Sequence, residues 1–187
     1  GAVSAQAGKQ YIYTVQEVQE PGGYQIEPEP VKFMVDDQGT VYIVADDGSA
    51  AKAEGSTIKF SDPAIVTTIL KTDANGNALA GATFTLAGTF ADGTTSKTFT
   101  SGTSATVFDA QLVSKTSYTL TETSAPSGYN ALSSPVTFTV DSLGKVTITN
   151  DAGGAAKLTS DGAGIIVADT AASASSTSTA SASTPNT

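Results

Sequence analysis

The chain has 187 residues, 14% of them charged and 39% hydrophobic, with a formal net charge of −9. It contains neither Cys nor His, which excludes disulfides, thiolate and imidazole metal sites, and Ser–His or Cys–His nucleophile pairs. The acidic balance disfavours nucleic acid and anionic membrane as partners, since both need a basic surface, and no apolar run approaches the length of a transmembrane helix.

The chain opens on Gly1 rather than Met, with no signal peptide, and is expected to be a fragment or processed product. A repeat sets the order of its elements. Tyr13-Thr-Val-Gln-Glu17-Val-Gln-Glu-Pro21-Gly-Gly23-Tyr24 returns 105 residues later as Tyr118-Thr-Leu-Thr-Glu122-Thr-Ser-Ala-Pro126-Ser-Gly128-Tyr129. At the same offset Pro30–Asp36 matches Pro135–Asp141, and Gly39–Ile43 matches Gly144–Ile148. Ile58-Lys-Phe60-Ser-Asp62 matches Ile165-Ile-Val167-Ala-Asp169 after a further shift of two residues.

Residues 1–63 therefore read as the C-terminal part of a truncated module, and 64–170 as a complete one. Residues 171–187 are rich in Ala, Ser and Thr, lack apolar periodicity, and are expected to form a disordered stalk. Within the complete module, alternation in Ala82–Leu86, Val136–Val140 and Val146–Ile148 predicts short strands. Asn75-Gly76, Asp92-Gly93, Ser127-Gly128 and Leu143-Gly144 mark the turns between them. No helical periodicity exceeds two turns. An all-β sandwich follows.

Strand parity singles out three ionisable residues. Lys71 continues the apolar stripe of Ile69; Glu122 that of Tyr118 and Leu120; Asp169 that of Ile165 and Val167. In the first module Glu17 continues Val15, and Asp62 continues Ile58 and Phe60. An unpaired buried charge costs several kcal/mol, so such groups neutralise, pair or react. Burial disfavours charge on an amine and on a carboxyl alike. A neutral amine is a nucleophile and a neutral carboxylic acid an electrophile. A protonated Glu between them can move protons and polarise the carbonyl. With proximity fixed, the expected product is a side-chain amide, formed once with loss of water. The bland alternative is that each charge sits at a solvated strand end. That holds easily for one such residue and less easily for three, with the pattern recurring in the repeat.

Lys71-Thr-Asp-Ala-Asn-Gly-Asn-Ala-Leu79-Ala-Gly81-Ala-Thr-Phe84-Thr-Leu resembles the opening strand motif of Cna B-type domains, and Tyr118–Tyr129 resembles their "ET-x-AP-x-GY" segment. The resemblance covers 64–170 fully and 1–63 as a half-module. It implies tandem prealbumin (transthyretin)-like β-sandwiches and a secreted, cell-wall-anchored setting on a Gram-positive surface, as in pilins and adhesins. It also implies roles by position: Lys71 as the amine, Glu122 as catalytic acid/base, and a last-strand Asp or Asn as acceptor. Asn150 ends Val146–Asn150 with inward parity, but its repeat equivalent is Ala45; Asp62 and Asp169 agree with each other, so Asp169 is preferred to Asn150. The truncated module's Lys would precede Gly1, leaving Glu17 and Asp62 without one in this chain.

Other patterns are weaker. Asp73-Ala-Asn-Gly-Asn77 resembles a calcium loop only faintly, because Phe84 stands where an EF-hand needs a bidentate acid; a hairpin turn is expected. Asp36-Asp37 and Asp46-Asp47 read as solvated loop acids. Paired carboxylates for glycoside hydrolysis lack an aromatic sugar platform, Trp being absent. The ending Thr184-Pro185-Asn186-Thr187 resembles a cut sortase motif with Thr in the Leu place. No metal or cofactor is expected. The leading functional reading is a non-enzymatic stalk module whose partners are neighbouring modules of the same surface protein. The alternatives are an adhesin domain that binds host extracellular matrix or a glycan, and an accessory to a polysaccharide-processing enzyme.

Overall fold

The computed structural model describes residues 11–173; Thr187 and most of the expected tail lie outside them. Four strands come first: β1 (Tyr13–Val15), β2 (Val31–Val35), β3 (Val41–Val44) and β4 (Ala50–Lys52). Nine follow: β5 (Val66–Asp73), β6 (Thr83–Ala87), β7 (Ser96–Thr100), β8 (Thr106–Asp109), β9 (Thr116–Ser124), β10 (Val136–Val140), β11 (Val146–Asn150), β12 (Ala156–Leu158) and β13 (Gly164–Asp169). One short 3₁₀ turn, Glu54–Ser56, is the helical content among the described residues.

The first four strands form one antiparallel sheet in chain order. The remaining nine form two sheets, ordered β11-β10-β9-β6-β7 and β12-β13-β5-β8. The inner faces of these two sheets make the core. Ile65, Ile69, Phe108, Ile165 and Val167 meet Phe84, Leu86, Tyr118, Leu120, Val136 and Phe138, all essentially inaccessible. The alternation read from the sequence is the cause: every second side chain on β6, on β10 and along Tyr118–Glu122 of β9 is buried and the next is not.

Tyr118 anchors one end of this core. Its hydroxyl donates to Thr89 O at 2.5 Å and accepts the Val113 N–H at 2.7 Å, and its ring stacks on Phe138 at 5.4 Å. The ring lies so close to Gly88 that a Cβ there would overlap it.

The connection that positions the site is the parallel pairing of β5 with β13, the first and last strands of the sandwich. Parallel neighbours need a long crossover, and here the other seven strands form it. The register sets Val167 beside Lys71 and Asp169 beside Asp73.

Three expectations are corrected by the backbone. Asn150 does not face the core. A bulge between Thr137 and Phe138 pairs Phe138 with Ile148 but Thr137 with Asn150, and the extra residue reverses parity, so Asn150 is exposed. Ile58–Asp62 is not a strand: its template in the repeat, β13, is held by β5, and no equivalent of β5 flanks 58–62 among the described residues. Phe60 is 40% exposed as a result. Finally, the expected tail does not begin free at 171. Ala171 bridges to Tyr129, and Ala172 N–H donates to Gly128 O at 2.8 Å.

Candidate functional site

Each of the three ionisable residues is delivered by a different inner-face strand. Lys71 follows Thr67 and Ile69 on β5; Asp169 follows Ile165 and Val167 on β13; Glu122 follows Tyr118 and Leu120 on β9, opposite Phe84 of β6. Because Val167 is the register partner of Lys71, Asp169 lies one pleat further along the same face. Glu122 reaches across from the other sheet.

The three side chains meet with zero solvent exposure. Lys71 Nζ donates to Asp169 Oδ1 and lies 3.3 Å from Glu122 Oε1. The Phe84 ring forms one wall, its centroid 5.6 Å from Nζ. Glu122 Oε2 accepts the Leu132 N–H at 2.8 Å. The remaining oxygens, Glu122 Oε1 and Asp169 Oδ2, have no hydrogen-bond partner.

One ammonium facing two carboxylates leaves a net negative charge in an apolar cage, which is unfavourable. A proton on Glu122 removes it. Burial is the main influence and pushes the Glu122 carboxyl above its ordinary value. The Leu132 N–H and Lys71 work against the rise, and the charge of Asp169 adds to it. The arrangement therefore holds an amine against a carboxyl, with a carboxylic acid beside both.

The other predicted residues are apart from this cluster. Asn150 Oδ1 accepts the Ala152 N–H at 3.1 Å and serves its own turn. Asp73 Oδ1 likewise accepts the Asn75 and Asn77 N–H groups, each at 2.9 Å, so the calcium-like loop is a turn closed by its own carboxylate.

Glu17 and Asp62 reproduce parts of the cluster. Glu17 Oε2 accepts the Glu27 N–H at 2.7 Å, a donor ten residues on, as Leu132 is from Glu122. Asp62 is half-buried, and its Oδ1 has no partner. No lysine pairs with either among the described residues.

A fourth acid was not anticipated. Glu20 carries a side chain only 5% exposed that accepts the Ser114 hydroxyl and meets Lys115 Nζ at 3.2 Å. The Ser114 hydrogen bond is the chief cause that lowers its pKa from 4.5 to about 2. The signal available in the sequence was a mismatch: Glu20 aligns with Ala125 in the repeat.

Residues 66–152 match the family model described as SpaA, prealbumin-like fold domain, so the sandwich is a prealbumin-like fold. No curated protein matches the chain. Among solved structures, an iodide-soaked C-terminal fragment of the pilus adhesin SpaC from Lactobacillus rhamnosus GG is 24% identical with a TM-score of 0.50, the match covering 89% of this chain and 78% of that one. The open conformation of the same adhesin is 23% identical at a TM-score of 0.47, and this chain spans 25% of its length. The shaft pilin SpaA of that organism is 15% identical over 87% of this chain and 65% of its own, at a TM-score of 0.38. At 24% identity the likeness to the adhesin fragment is one of fold.

Proposed function

We propose that this chain is a tension-carrying stalk segment of a Gram-positive surface protein or pilus, closed by a covalent bond between Lys71 and Asp169. The observation that carries the reading is the fully buried Lys71–Glu122–Asp169 cluster, joining the first and last strands of the sandwich. In this reading 64–170 is a complete Cna B-type module, 1–63 is the C-terminal part of a preceding one, and the residues beyond 172 form a spacer. The fold shared with pilus components is consistent with this setting, at the extracellular face of the cell wall, with neighbouring modules as partners.

The reaction balances as a condensation. Lys71 Nζ, as neutral amine, attacks Cγ of protonated Asp169. The tetrahedral carbon expels one hydroxyl, which leaves as water with a proton that the amine has shed. Glu122 carries that proton between them, and the surrounding apolar walls strengthen its hydrogen bonds. Turnover is single, so the protein is not an enzyme in the usual sense. The bond closes a loop of 98 residue steps, worth about 4–5 kcal/mol on the loop-entropy account used for disulfides.

Intact-mass spectrometry of the full chain tests this. The purified protein is expected to be one water lighter than its sequence, with a linked Lys71–Asp169 peptide pair after digestion. Loss of ammonia instead would assign Asn150, and an unchanged mass in folded protein would sink the proposal. Glu122→Ala is expected to fold and keep its full mass.

A further inference from the structure

The acid in this cluster has two oxygens in unlike surroundings, and the difference is made by the backbone. Oε2 accepts the Leu132 N–H at 2.8 Å. Oε1 points to Lys71 at 3.3 Å and has no hydrogen-bond partner. A neutral carboxyl has one carbonyl oxygen, which accepts, and one hydroxyl, which donates. An oxygen that faces an N–H donor is held in the accepting role. The hydroxyl is thereby confined to Oε1, the oxygen beside the reacting amine.

The same short segment grips the acceptor strand. Asn130 N–H donates to Thr170 O at 3.0 Å, Asn130 Nδ2 donates to Ala171 O at 3.3 Å, and Tyr129 bridges to Ala171. Four consecutive residues thus connect the acid on β9 to the residues that directly follow Asp169. Leu132 is seated by its side chain, which packs against the core. The arrangement recurs at 24–27. Glu27 N–H caps Glu17 Oε2 at 2.7 Å, Gln25 N–H donates to Pro63 O at 2.9 Å, Gln25 Nε2 donates to Ala64 O at 3.1 Å, and Tyr24 bridges to Ala64. The capping N–H recurs on unlike side chains, Leu132 and Glu27, so at that position the backbone is the recurring part, while the side-chain amides of Asn130 and Gln25 repeat the grip on the following strand.

We infer that residues 129–132 are the positioning element of the cross-linking reaction, and that the Leu132 N–H dictates which oxygen of Glu122 carries the proton. The inference rests on the reading of the cluster as a bond-forming site. Leu132 does not touch the reacting atoms and acts only through Glu122. Oε1 gives its proton to the departing hydroxyl and then takes the one the amine sheds, so Glu122 ends as it began and Oε2 stays capped throughout. Without the N–H, the hydroxyl can sit on either oxygen, and half of its orientations face away from the amine.

The test follows bond formation in the full chain after cell-free synthesis, by intact mass against time and pH. Leu132→Pro removes the N–H. Replacing Leu132 by its α-hydroxy acid removes it without changing the side chain or restricting the backbone, and covers the case in which the proline variant does not fold. Both are expected to slow bond formation by about twofold, the share of hydroxyl orientations that turn away from the amine. Both are also expected to move the alkaline limb of the rate profile to higher pH, because the lost N–H had favoured the carboxylate. Leu132→Ala keeps the N–H and is expected to keep the wild-type limb. A hydroxy-acid variant with wild-type rate and pH profile would overturn the inference. A wild-type chain that never loses water would instead overturn the underlying reading.

Discussion

Lys71 and Asp169 respond differently to the loss of one partner and to the replacement of both. In a Glu122→Ala background, where the proposed bond is not expected to form, the two are expected to remain a buried ion pair. Adding Lys71→Ala leaves the Asp169 carboxyl without its cation and is expected to cost roughly 3–5 kcal/mol, read from urea unfolding. Adding Lys71→Met together with Asp169→Leu fills the same volume with apolar groups, and is expected to cost clearly less. An equal loss in both would show that charge burial is not what governs the site. At this scale the sequence was readable because parity assigns a strand residue to a face, and Lys71, Glu122 and Asp169 each continue an apolar stripe. The Leu132 N–H could not be read the same way: a backbone donor has no letter, and its only trace is a spacing of ten residues from each Glu. Parity also misplaced Asn150, because the bulge between Thr137 and Phe138 depends on hydrogen-bond register and not on composition.

The strands of the sandwich are legible where both neighbours exist. Alternation in Thr83–Ala87 and Val136–Val140 became alternating burial because a second sheet covers the apolar side. The same alternation in Ile58–Asp62 gave no strand, since a strand is completed by its partner and that partner is missing from the described residues. β1–β4 show this too: Tyr13 and Val35 are 39% and 42% exposed, while their repeat equivalents Tyr118 and Val140 are at 0% and 1%. Tertiary contact also fixes Gly88, beyond anything in its own neighbourhood. Gly88→Ala places a methyl group against the Tyr118 ring. The expected outcome is a loss of about 1–3 kcal/mol, with a lower thermal midpoint and loss of the near-ultraviolet tyrosine signal. An unaltered midpoint would mean that the ring can move aside.

The joint between residues 11–63 and the sandwich is built from loops. Gly23, with φ of +91°, lies against the Ala110 carbonyl where any side chain would clash, Ile26 N–H donates to Ser142 O at 3.0 Å, and Glu20 is buried against Ser114 and Lys115. Because its folded pKa of about 2 lies below its ordinary 4.5, Glu20 contributes stability that is complete above the ordinary value and is lost as pH falls toward 2. Glu20→Gln is expected to lower stability by about 1–3 kcal/mol at neutral pH and to expose the 20–26 loop to limited proteolysis. It is also expected to flatten the acid limb of the stability profile. A variant with the wild-type acid limb would exclude this role. Nothing in the repeat foretold the joint, since Ala125 stands where Glu20 would be.

The parallel register of β5 and β13 has a consequence for length. Lys71 and Asp169 are separated by 98 steps of chain yet sit one pleat apart in neighbouring strands. Once joined, everything between them is withdrawn from the contour of the stretched polymer. An unlinked sandwich pulled open by its ends would release about 330 Å of slack at roughly 3.4 Å per residue; a linked one releases almost none. In a single-molecule extension trace the wild-type unit is expected to show no unfolding step of that size, and the Glu122→Ala unit is expected to show it. With the proposed bond in place, the sandwich is expected to keep under tension the span that it acquires on folding.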